Sequence, residues 1–460
     1  MMIAKAIGPA AYLLVSIALL PAAFLARADE ERDPLALWQD DQGSSVRAAF
    51  KAEFAWFDQT DSWFGDAEGN LGDSSTDWLE FALMPSLNGN YVLDNGSSFY
   101  GQLTLLAVGQ EGIDAAGTNV GLGDTSDTAV ERAYVGWRSG NLFPELGEDF
   151  LDISFGRQQY VAGTGFLFFS QANNGGDRSG FWLGDRKAAD YAAIARVNYQ
   201  GLKAELIYLK GNDNKAPDHP DHNTRASGVT LDYDLGELGS VGGGLYRLSA
   251  NAKPRDGMDI YDGRFSLTPF KAWLPGTALD QLRLDGEYVV QDNGRAHDAD
   301  GWYLSARYDF DRVKWSPALT YRYASFEGDG DPDDGSNRNF DPLFYGFYDW
   351  GYWYQGEILG EYVLINSNLN SHLLRLAVSP REDLAVSLSW YDFRLDKAAG
   401  MGVGSEAFAQ EFNLILDWYP HNHLSFSLVG AYASPDRGAR QFTGADDDWY
   451  YMMLYGKFSF

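Results

Sequence analysis

The most constraining feature of this chain is a period-two alternation with no apolar segment behind it long enough to cross a membrane as a helix. Tyr450, Met452, Leu454, Gly456, Phe458 and Phe460 fall on one face of an extended chain. Tyr451, Met453, Tyr455, Lys457 and Ser459 fall on the other. One face suits hydrocarbon and the other a wet interior. The pattern recurs at 46–56, 282–290, 302–310 and 412–418, each time with a polar set opposite an apolar one. A transmembrane helix needs about 20 apolar residues, and none is found beyond the N-terminal segment. In lipid a sheet must close on itself so that no edge group is left unpaired. The pattern therefore predicts an all-β fold, a transmembrane antiparallel β-barrel.

The N-terminus is read separately. Lys5 gives a short positive region, residues 10–23 are apolar, and Ala26-Arg27-Ala28 is a small-x-small site before Asp29. This predicts a secretory signal peptide over 1–28 and a barrel over 29–460. The apolar run is too short for a membrane anchor. Once Lys5 and Arg27 are removed, 33 basic and 65 acidic residues remain, which argues against nucleic acid as a partner. With no cysteine there is neither a disulfide framework nor a thiolate zinc site. Aromatic residues at 15% and 51 glycines fit a barrel wall.

Eighteen strands are expected. They start near Val46, Trp78, Phe99, Thr128, Leu151, Tyr191, Leu202, Thr224, Val241, Tyr261, Gln281, Gly301, Lys314, Asn368, Leu384, Phe408, Leu424 and Asp448. Short turns at 200–201, 236–239, 311–312, 380–383 and 420–422 alternate with longer polar connections. Barrels keep short turns periplasmic and long loops outside, so both termini are expected in the periplasm. At this size an aqueous lumen is expected. The extracellular loop at 327–367 is too long for a plain connection. Its aromatics (Phe340, Phe344, Tyr345, Phe347, Tyr348, Trp350, Tyr352, Trp353, Tyr354) predict that it folds into or over the mouth. The segment 161–190, with Phe166, Phe168, Phe169, Phe181 and Trp182, reads the same way.

In this loop Asp341-Pro342-Leu343-Phe344-Tyr345-Gly346 is followed by Gly356-Glu357 and Asn366-Ser367-Asn368-Leu369. Upstream, Phe155-Gly156-Arg157-Gln158 ends a strand before a large loop. Both runs resemble the alginate-export family of outer-membrane porins. The resemblance implies an eighteen-stranded barrel in a Gram-negative outer membrane that passes an anionic uronate polysaccharide through a basic constriction. It marks Gly156, Arg157, Gln158, Asp341, Pro342 and Asn368 as family-motif positions. The chain departs from the pattern where basic lumen positions fall on Met84, Glu131 and Gln159, while Arg338 keeps one.

The assigned lumen faces carry Arg47, Lys51, Arg132, Arg196, Lys203, Arg264, Arg283, Arg307, Arg322, Arg375 and Lys457. Against them stand Glu53, Glu80, Glu205, Asp232, Asp285, Glu287, Asp309, Glu411 and Asp417. Eleven basic against nine acidic residues is a different balance from the acidic chain as a whole. Arg132, Arg322 and Arg375 have few acids beside them on their own strands and lead the candidate path, followed by Arg196, Arg264 and Arg338. Arginine suits an anion path because its planar fork binds carboxylates bidentately and stays charged. The acidic loop 329–335 starts like a calcium loop but fails at Asp334 and Phe340, where Gly and Glu are required. The six histidines form neither a metal-ligand helix nor part of a nucleophile elbow, so no enzyme activity, metal or cofactor is expected. The expected partners are outer-membrane lipids, lipopolysaccharide, the barrel-insertion machinery reading the strand that ends at Phe460, and an anionic polysaccharide. Competing readings are a general or hydrophobic-solute porin and a surface adhesion or structural barrel.

Overall fold

The structure is a computed structural model that describes residues 35–62, 74–331, 333–346 and 353–460. The expected signal peptide lies outside these residues, as do Phe347, Tyr348, Trp350 and Tyr352 of the long aromatic loop.

The strands in chain order are β1 (Ala36–Gln39), β2 (Ser45–Thr60), β3 (Thr76–Val92), β4 (Ser98–Glu111), β5 (Thr125–Arg138), β6 (Leu151–Arg157), β7 (Tyr191–Tyr199), β8 (Leu202–Lys210), β9 (Arg225–Asp234) and β10 (Gly239–Ser249). They continue with β11 (Asp259–Leu267), β12 (Leu282–Asp292), β13 (Asp298–Asp309), β14 (Ala318–Phe326), β15 (Leu369–Arg381), β16 (Leu384–Leu395), β17 (Ala407–His421), β18 (Leu424–Pro435) and β19 (Trp449–Ser459). From β2 onward each strand pairs antiparallel with the next, and β19 returns to pair with β2. This is a closed barrel of eighteen strands. Closure removes every sheet edge that lipid would otherwise meet. The extra strand, β1, pairs with the foot of β2 and stands outside the expected eighteen.

Each of the eighteen barrel strands starts within about four residues of its expected position. The stretch made ambiguous by Pro269 and Pro275 is a connection between β11 and β12. It holds the short helix α1 (Pro269–Trp273), whose proline sits where a missing N–H costs nothing. A second helix, α2 (Arg437–Thr443), lies in the outer loop between β18 and β19.

The outward face carries Leu304, Leu374, Leu376, Leu388, Leu414, Leu428 and Leu454, all exposed. Exposed aromatics ring the short-turn end (Trp38, Tyr91, Phe99, Tyr199, Tyr233, Trp315, Trp418) and the long-loop end (Tyr208, Tyr261, Tyr288, Tyr450). An apolar band between two aromatic girdles is the lipid face of an outer-membrane barrel.

The interior changes character along its axis. Near the short turns Arg47, Lys203, Arg283 and Arg307 point inward and remain exposed. Toward the long loops, Phe57, Gln59, Ile207, Leu209, Val289, Gln291, Ala299 and Tyr303 on the same inward phases are buried. The expected aqueous lumen is therefore the periplasmic half alone. Among the described residues, the outer half is filled by two loops that fold inward, 158–190 and 341–346 with 353–368.

Candidate functional site

The two aromatic segments singled out in the sequence meet inside the barrel. Phe344 donates its N–H to the carbonyl of Leu167 at 3.0 Å, and its carbonyl accepts from Phe169 at 2.7 Å and Ser170 at 2.9 Å. Phe166 packs against Phe326, Phe340 and Trp353, with ring centroids 5.4, 5.9 and 4.8 Å apart. The aromatic residues explain the inward fold: each buries a large apolar area that the wet half could not cover.

Three carboxylates on the wall hold this pair of loops. Glu80 of β3 accepts the backbone N–H of Trp182 at 3.1 Å and of Leu183 at 2.9 Å. Glu131 of β5 accepts those of Lys187 and Ala188, both at 2.9 Å. Glu411 of β17 accepts those of Ile358 at 3.1 Å and Leu359 at 2.7 Å. In all three cases a buried acid meets two consecutive amides. The register of β4 and β5 slips between Thr104 and Leu105, leaving Glu131 without a ladder partner. This bulge lets Glu131 and Arg132 both reach inside. Lys51 adds an ion pair at 2.5 Å to Asp185 in the first loop. Burial, then the charge of Glu53, pushes the Asp185 carboxyl up to about 6 despite that lysine.

Below the loops, at the boundary with the wet half, lies an open pocket of about 250 Å³ lined by Tyr100, Arg132, Tyr134, Arg138, Asp152, Gln158, Gln159 and Arg196. Arg132 donates to Gln159 at 3.3 Å. Arg138 pairs with Asp152 at 3.3 Å, and its guanidinium lies 4.2 Å from the centre of the Tyr100 ring. Arg196 pairs with Glu205 at 2.7 Å. Three guanidiniums thus face one polar space that holds a single carboxylate, Asp152.

The structure brings together Arg132, Arg196 and Gln158 from the candidate residues and adds Arg138, Tyr100 and Tyr134, which sequence reasoning missed. Arg138 was legible: it shares the inward phase of Arg132, six residues on. Arg264 is held between Asp232 at 2.8 Å and Asp262 at 2.5 Å, an ion-pair ladder on the wall. Arg322 is buried, stacks 4.6 Å from the centre of Trp353 and donates to Gln355 at 3.3 Å. In this conformation it grips the second loop. Arg375 reaches Ser387 at 3.5 Å, and Arg338 is exposed in the outer loop.

The model of the family described as alginate export matches residues 110–426. The chain belongs to the alginate-export family. Among curated proteins none matches the sequence significantly. Solved structures similar to this family member include OccK7 (OpdD) of Pseudomonas aeruginosa, at 13% identity and a TM-score of 0.53, covering 91% of this chain and 99% of that one. The outer membrane protein OprD of Pseudomonas aeruginosa matches at 14% identity and a TM-score of 0.54, covering 90% and 94%. OccAB4 of Acinetobacter baumannii matches at 12% and 0.53, covering 91% and 99%. At these identities the likeness is one of fold. Family and fold place the barrel in the outer membrane of a Gram-negative bacterium, surrounded by its lipids, as a transport channel.

Within the alginate-export chain the motif positions are structural. Gly156 has φ +133°, and a Cβ there would lie 2.4 Å from the carbonyl oxygen of Ala133. Arg157 pairs with Asp190 at 3.2 Å, and Gln158 accepts from Ser154 at 3.1 Å. Asp341 receives a two-pronged contact from Arg255, at 2.6 and 2.7 Å, and starts the turn through Pro342. Burial alone would raise the Asp341 carboxyl, but the Arg255 guanidinium holds it below its ordinary value. Asn368, at φ +51°, accepts the N–H of Lys397 at 2.6 Å and closes the second loop. Met84 and Glu131, expected from the resemblance to fall at basic lumen positions, are both buried.

Proposed function

We propose that this channel carries an anionic solute, an acidic polysaccharide or a fragment of one, along a path that passes Arg132, Arg138 and Arg196. The observation that carries this reading is the convergence of those three guanidiniums on one cavity at the end of the wet half. A low-dielectric wall focuses such a field, and the arginine fork suits a carboxylate. Tyr100 and Tyr134 give the same space aromatic surface beside hydrogen-bonding groups, as a sugar acid requires. Membership of a family described as alginate export supports the same class of cargo.

Reversal potentials in planar bilayers under a salt gradient test the reading. Anion preference is expected, and R132Q/R138Q should move the reversal potential toward the cation side. Cation selectivity that these substitutions leave unchanged would overturn it. The same reading includes export through the segment 1–28. Mass spectrometry of the membrane-extracted protein should then find Asp29 at the N-terminus, and a retained Met1 would argue against cleavage.

A further inference from the structure

The two inward loops touch the wall in an unusual way. Among the described residues, the backbone hydrogen bonds of 162–188 and 343–364 run within a loop, between the two loops, or to Asn212 of a neighbouring loop. None joins a barrel strand. The wall instead holds loop amides through side chains, chiefly the carboxylates of Glu80, Glu131 and Glu411, each at most 1% exposed. The loops are tied to one another through Phe344, Leu167 and Phe169, and Gly346 donates to Gly165 at 3.2 Å. They therefore form a unit that can leave the lumen without breaking a single rung of the sheet.

A carboxylate suits such a contact. It accepts two amides with charge assistance while the loop is docked, and it is readily hydrated when the loop departs. The alternatives to engagement are thus water or amide, and both satisfy the acid. The apolar contacts beside the carboxylates, such as Phe166 on Phe326 and Tyr303 of the wall, expose their surface when the loops depart and set the cost of opening.

We propose that Glu80, Glu131 and Glu411 are positioning residues that latch the two loops as a removable plug, so that the outer half of the lumen is shut here and opens when the amides leave them. The proposal rests on the transport reading above, and charge selectivity plays no part in it.

The test combines latch removal with a reversible lock. Glu80→Ala with Glu131→Ala should raise bilayer conductance several-fold over the unaltered protein. Heat-modifiable gel migration would report that the barrel itself is folded. A Cβ at Gly180, in the first loop, would lie 3.9 Å from the Cβ of Val108 on β4. This is within disulfide range, and the chain has no cysteine to compete. Adding V108C/G180C should return the conductance to its original level when oxidised and release it again on reduction. In an otherwise unaltered chain the same pair should suppress residual openings when oxidised. Folded latch variants that conduct like the parent, or a cysteine pair indifferent to redox state, would overturn the proposal. Channels that open but prefer cations would support the latch and sink the anionic cargo, so the two failures are distinct.

Discussion

Phe50 and Phe460 each donate a backbone N–H to the other's carbonyl, both at 2.8 Å. They form the last rung of the seam between β19 and β2, beyond the pair Ser459 and Lys51. The Phe460 ring lies 4.7 Å from that of His423 and stacks parallel to Phe458 at 6.4 Å. One step further along β2, Ala48 donates to the carbonyl of Leu35 at 2.9 Å, so β1 takes up the edge where β19 stops. The alternating strand that predicted a barrel is thus also the strand that closes it.

Removing Phe460 should cost two ladder hydrogen bonds and the ring contact with His423. Net hydrogen-bond contributions are about 0.5–1.5 kcal/mol each, so the refolded barrel should lose about 1–3 kcal/mol. The assembled fraction should fall further if the insertion machinery reads this residue. Heat-modifiable migration and urea midpoints of the shortened chain measure both. Unchanged values would show that the seam ends functionally at Ser459.

Gly156 gives a second prediction with a built-in control. Its φ is +133°, and a Cβ added there would meet the backbone of Ala133 and Tyr134 at 2.4 and 2.7 Å, which leaves no room for a side chain. Gly156→Ala should destabilise the barrel by more than about 1 kcal/mol, because the atoms in the way belong to the neighbouring strand. At Gly430 an added Cβ meets nothing within 4 Å. Gly430→Ala should therefore be close to neutral. Equal urea midpoints for the two variants would contradict this account.

The parts of this fold legible in the sequence are those set by local periodicity. Alternation such as Leu282 to Val290 needs only the next residue but one, so strand number and facing came through. The contacts of Glu80, Glu411 and Arg322 did not read from their strands, because their partners are far away in the chain. Glu80 meets Trp182 about a hundred residues on, and Glu411 meets Leu359 about fifty residues back. On alternation alone, both read as charges facing a wet path. Arg322 leads the candidate path because its strand lacks acids. What its strand cannot show is Trp353, which stacks on it from the plug. Glu131 is hidden for another reason: a bulge places two successive residues inside, which strict alternation forbids.

Asp341 supplies a pH dependence whose direction is fixed by geometry. Its carboxylate is 13% exposed, Arg255 is 11% exposed, and the two meet at 2.6 Å. Asp341 also accepts the N–H of Leu343 at 2.9 Å, and Gln291 clasps the backbone on both sides. Burial alone would push this carboxyl up, but Arg255 and the Leu343 amide hold it below its ordinary value of about 3.9. A depressed acid stabilises above its unfolded-state pKa, and the benefit disappears as pH falls through the folded value. The anchor should therefore be intact from neutral pH down to about 4 and loosen only below that. Asp341→Asn should loosen 341–346 at every pH, by about 2–4 kcal/mol, since it leaves Arg255 half-satisfied at a largely buried site. Arg255→Met removes the partner instead and leaves burial, the largest influence, opposed only by the Leu343 amide and His297. Its Asp341 should titrate above the ordinary range, so that this loop weakens as pH rises. Hydrogen exchange of the 341–346 backbone across pH 3–8 distinguishes the cases, with opposite slopes expected for the unaltered protein and Arg255→Met. Parallel slopes would show that the guanidinium does not set the charge of this carboxyl.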